Sequence, residues 1–112
     1  MDTTARDDLG GALQLIRGAG RIVRDYGWES AQSMRGAVDA AAPVLARSHD
    51  LPGEVEWVRA QLVVDCGSWC ELCSLIRGEP TNSDLKEAGR FLARHMVDRA
   101  DALLAWLQHP TG

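Results

Sequence analysis

Apolar residues recur at three- and four-residue spacing along nearly the whole chain, and no useful length alternates apolar with polar in the manner of a strand. Four amphipathic stretches account for the pattern. The first, about 7–26, carries Leu9, Leu13, Ile16, Gly20 and Val23 on one face, with Thr3 or Thr4 as its cap. The second, about 28–48, carries Ala31, Met34, Val38, Ala41 and Leu45. Gly27 alone marks the break between them, and a continuous helix through it is the alternative. Pro43 falls inside the second stretch, where a missing N–H predicts a kink or a restart. The third, about 51–77, opens on Asp50 as N-cap with Pro52 in its first turn and stops at Gly78 and Pro80. Its stripe is Val55, Val58, Leu62, Cys66, Trp69, Cys73 and Ile76. The fourth, about 83–108, opens at Asn82 or Ser83, and its expected seam is Leu85, Leu92, Arg99 and Trp106.

The last two stretches are of matched length and joined by about five residues, which favours an antiparallel hairpin. The expected fold is all-α: one domain over residues 1–112, an antiparallel up-down four-helix bundle. A chain of 112 residues can bury such a core without staples. No run of about 18 apolar residues predicts a membrane span. The polar, acidic opening from Met1 to Asp8 lacks the pattern of a signal peptide, so a cytoplasmic location is expected. Net charge is −4, which argues against non-specific nucleic-acid binding. Eleven Arg against a single Lys suggest a GC-rich bacterial genome as the source.

The densest chemistry lies at Cys66, Cys70 and Cys73. On a helix these positions span about 60° and form one ladder. In a reducing compartment such thiols are packing groups, metal ligands or redox groups rather than structural disulfides. Buried packing is the plain reading, since free Cys is among the most buried residue types. The alternative is a soft-metal site for Zn²⁺ or Cu(I), in which Cys66 and Cys70 join His95 across the hairpin, with Cys73 or Asp65 as a fourth donor. His95 is expected there because it adjoins Leu92 and Met96 on the fourth helix's inward face. The last sulfur is displaced about 10 Å along the axis from the first, so one ion cannot easily take all three. No neighbouring base supports a thiol redox role.

The Cys-x3-Cys-x2-Cys spacing of radical-SAM enzymes belongs to a loop of a partial α/β barrel, for which this chain has neither length nor strands. His49 echoes the His-x-Leu-x-Gly of histidine phosphotransfer bundles but sits at a helix junction before Pro52 rather than mid-helix. No P-loop, dinucleotide fingerprint, HExxH or GxSxG occurs. Arg17, Arg21 and Arg24 read as a solvated face paired with acids. Arg99, on the fourth helix's seam, needs a carboxylate, and Asp65 is the candidate, as a register-setting pair.

Apolar residues also lie outside the inner stripes. Trp57, Val64 and Leu75 stand about 180° from Cys66 on the third helix. Leu15, Ile22 and Tyr26 widen the first helix's face, and Val97 and Leu104 lie off the expected seam of the fourth. One small bundle has too few elements to bury all of these, and such surplus marks contact surfaces. The expected function is therefore non-enzymatic: a helical interaction or regulatory module acting as a homodimer or on a protein partner. Trp57 is its anchor, with no cofactor, no nucleic acid and no membrane. The alternative is the metal-binding or metal-sensing bundle.

Overall fold

The computed structural model describes residues 3–47 and 49–109. Four α-helices, α1 (Thr3–Tyr26), α2 (Gln32–Ala46), α3 (Gly53–Gly78) and α4 (Ser83–Gln108), are joined by short connections, one of them a single 3₁₀ turn at Trp28–Ser30. Neighbours in sequence are neighbours in space. α1 packs most extensively on α4 and next on α2, α3 packs on α4, and α2 meets α3 along a thinner seam. Among the described residues the diagonal pairs, α1 with α3 and α2 with α4, keep their backbones apart, with no two Cα atoms within 8 Å. The result is the expected four-helix bundle, 47 Å long and 22 × 21 Å across.

The breaks have identifiable causes. Gly27 adopts φ 95°, a conformation that strains any side-chain-bearing residue, and it stops α1 there. The guanidinium of Arg90 donates to the Arg24 carbonyl at 2.9 Å and caps the same end. Asn82 Oδ1 accepts from the Leu85 N–H at 3.1 Å and starts α4 as a side-chain N-cap. Three local expectations are corrected. α3 begins at Gly53 with Pro52 as N-cap and no side-chain cap, so Asp50 does not serve. Thr3 and Thr4 lie inside α1 rather than ahead of it. Pro43 does not restart α2, which runs through it to Ala46, and the expected end at Ser48 lies outside the described residues. The α2 end is held instead by His49, whose Nε2 donates to the Val44 carbonyl at 2.9 Å, and by Arg59, which donates to the Leu45 carbonyl. His49 thus has a structural occupation.

The core follows the expected stripes on α1, α2 and α3. On α4 it does not. The buried line there is Gly89, Ala93, Met96, Val97, Ala100, Leu103, Leu104 and Leu107. The expected seam of Leu85, Leu92, Arg99 and Trp106 is only half-buried, on a flank about 90° round the helix. Val97 and Leu104 are therefore core residues rather than surplus surface. The physical reason is size. Small residues on α4 let α1 come close: a Cβ on Gly20 of α1 would sit 2.6 Å from Val97 Cγ2 and 3.5 Å from the Ala93 carbonyl oxygen.

Two further contacts lock the register. Arg99 Nη1 donates to Asp65 Oδ2, joining α4 to α3, with Asp65 only 7% exposed. Trp28 presents the Cε3–Cζ3 edge of its indole to Gly89, where an added Cβ would meet it at 2.3 Å, and its ring centroid is 4.9 Å from that of Trp69.

Two substitutions test these locks. Arg99→Met leaves the Asp65 carboxylate buried without its partner and is expected to cost about 3 kcal/mol in chemical denaturation. Adding Asp65→Leu should recover most of that loss, and failure to recover would assign the pair's contribution to packing instead. Gly89→Ala should lower stability by about 2 kcal/mol through overpacking and alter the near-UV circular dichroism of the tryptophans. A gain of about 1 kcal/mol with an unchanged spectrum, the bare helix-propensity effect, would show that Trp28 is not seated there.

Candidate functional site

The cysteine ladder spans three environments on one helix. Cys66 is buried among the core side chains, Cys73 is half-buried and Cys70 is exposed. All three are free thiols. Burial pushes the Cys66 thiol from its ordinary value near 9.0 up to about 12, and the neighbouring Asp65 carboxylate and Cys70 add to the effect. Burial also raises Cys73, with Cys70 adding to it, while the facing Arg35 and Arg77 pull the other way and do not prevail. Cys66 is therefore a protonated packing group at neutral pH, as the plain reading expects.

The structure does not assemble the expected metal donors. His95 is exposed and packs edge-on against Phe91, ring centroids 4.8 Å apart, while Met96 and Ala93 take the inward positions. Its direction is about 140° away from the centre of the buried line, which follows from the rotation of α4 described above. Among the described residues, no three His, Cys, Asp or Glu side chains are grouped so as to hold a metal ion.

Cys70 and Cys73 open instead onto a cleft between α2 and α3, which sequence reasoning missed. α2 has 15 residues and α3 has 26. Their lengths at 1.5 Å per residue are about 22 and 39 Å, and the C-terminal turns of α3 stand opposite the start of α2 and the 3₁₀ turn before it. The outer part of the cleft, about 420 Å³, lies between Trp28, Ile76, Pro80 and Lys86. The inner part, about 190 Å³, reaches Trp69, Cys70 and Asp39. Arg35, Cys73 and Arg77 line both.

The six residues expected to form a contact surface are all exposed: Leu15 48%, Ile22 40%, Tyr26 78%, Trp57 60%, Val64 58% and Leu75 56%. Phe91, at 58%, joins them and was not foreseen. They fall into separate strips. Trp57, Val64 and Leu75 share one line along α3, and Leu15, Ile22 and Tyr26 share another along α1. Since α1 and α3 are diagonal in the bundle, these strips lie at opposite corners. The α1 strip borders a shallow furrow floored by Gly18, Ala19, Gly36 and Ala37.

The basic face of α1 behaves as a paired surface. Arg17 and Arg21 lie 3.7 and 3.8 Å from Asp101, and Arg24 lies 2.9 Å from Asp25. No helix is long and apolar enough to cross a membrane. Comparison with protein families, with curated proteins and with solved structures finds no match to this chain.

The raised Cys66 thiol carries a pH dependence of known sign. The fold holds it protonated, so its stabilising contribution is whole below pH 9 and is lost as pH rises toward about 12. The melting temperature of the native protein should fall more steeply between pH 9 and 11 than that of Cys66→Ala. Parallel curves would mean that Cys66 is not shielded from water.

Proposed function

We propose that this chain is a non-enzymatic helical interaction module that works through the exposed apolar strip of α3, by self-association or by holding a protein partner. One observation carries the reading. The core is filled by other residues, yet Trp57, Val64 and Leu75 stand more than half exposed in one line along 26 residues of helix. Large apolar groups in a row are costly to leave in water and are the kind of group that dominates contact energetics, Trp above all. The α1 strip at the opposite corner offers a second surface that the first partner would not cover.

The reading as a module rather than an enzyme rests on the same side chains. The thiols are graded by burial rather than set beside a base, and among the described residues no nucleophile, base and orienting group meet. Elemental analysis of protein purified without chelator separates this reading from the metal-binding one. Near-stoichiometric zinc or copper that is lost in Cys66→Ala/Cys70→Ala would replace it.

Light scattering provides the direct measurement. The native chain is expected to run as a dimer or larger complex at micromolar concentration, and Val64→Asp should weaken that association by at least about tenfold, equivalent to about 1.4 kcal/mol. Trp57→Ala should act in the same direction. A stable monomer that captures no partner, with both variants indistinguishable from it, would overturn the proposal.

A further inference from the structure

We infer that the cleft between α2 and α3 is a binding site for a small organic monoanion carrying a flat apolar body, such as an aromatic carboxylate. Its charge is the first ground. Arg35 of α2 and Arg77 of α3 both line the cleft and are exposed, and their guanidiniums have no hydrogen-bond or ion-pair partner among the described residues. Most other arginines of the bundle are engaged: Arg17, Arg21, Arg24, Arg47, Arg59 and Arg99 each have a carboxylate within 4.0 Å, and Arg90 has Glu87 at 3.5 Å. Lys86 at the mouth is already paired with Glu29 at 2.8 Å. Two guanidiniums against the single carboxylate of Asp39 leave one unbalanced positive charge along the cleft, which a monoanion would neutralise. Guanidinium forks match carboxylate geometry, and so they select that head group over a neutral one.

The second ground is shape. Trp28, Ile76 and Pro80 give the outer part of the cleft an apolar wall, and Trp69 lies sealed behind Trp28, ring centroids 4.9 Å apart. A cleft of about 420 Å³ lies in the size range of small-molecule sites, where apolar walls and a few placed polar groups divide affinity and orientation between them. The site is distinct from the exposed strip of α3, which faces away from it, so the two proposals stand or fall separately.

The test uses naphthalene-2-carboxylate and, as its neutral counterpart, naphthalene-2-carboxamide, each titrated into the full chain. The indole N–H resonances are followed by NMR, and the rate of Cys73 alkylation by iodoacetamide is read by mass spectrometry. The carboxylate should move the Trp28 indole resonance, slow Cys73 alkylation, and bind at least tenfold more tightly than the carboxamide. Arg35→Gln/Arg77→Gln, both at exposed positions and therefore without effect on the core, should reduce the carboxylate to the carboxamide's affinity. Equal binding of the two probes, a Trp28 resonance that does not move, or shifts confined to Trp57 would each overturn the assignment.

Discussion

The seat of Trp28 on Gly89 is the constraint on which the rest of the bundle's arrangement depends. Gly27 turns the chain out of α1, and the next residue sets the edge of its indole against α4 at Gly89, where no Cβ stands in its way. The same ring meets Trp69 of α3. A single side chain from the first connection thus ties together the two helices of the second hairpin. With that end fixed, the close approach of α1 to α4 at Gly20 and the ion pair of Asp65 with Arg99 set the angle and register along the remaining length.

Much of this was legible in the sequence, for reasons that differ from element to element. The Gly27 break, the Asn82 cap and the stripes of α1, α2 and α3 follow from periodicity and turn chemistry alone. The Asp65–Arg99 pair was legible because a guanidinium on a helix seam has few alternatives to a carboxylate on the facing stripe. The inward face of α4 was not. Reading a helix by its large residues favours Leu85, Leu92 and Trp106, whereas this helix turns inward through Gly89, Ala93 and Ala100, whose value is the room they leave. That error displaced His95 to the wrong side and made Val97 and Leu104 look superfluous. The cleft was invisible for another reason: it depends on what the 3₁₀ turn and the start of α2 place opposite the last turns of α3, and periodicity carries no information on that.

The surface divides by chemistry. Arg17, Arg21 and Arg24 of α1 are neutralised by nearby acids, the α3 strip is apolar and uncovered, and Arg35 and Arg77 stand unpaired beside the cleft. The thiols run across this division, from Cys66 in the core to Cys70 in solvent. Reactivity toward small reagents is therefore graded along two turns of one helix by burial, with the cleft at the reactive end.

The 3₁₀ turn ahead of α2 has one more consequence. The mouth of the cleft lies where the 3₁₀ turn gives way to the start of α2. Its width is thus an architectural property, while the groups around its edge, Arg35, Arg77 and Asp39, are tolerant surface positions. Preference for one guest over another can drift by exchange of those edge groups while the scaffold beneath stays untouched.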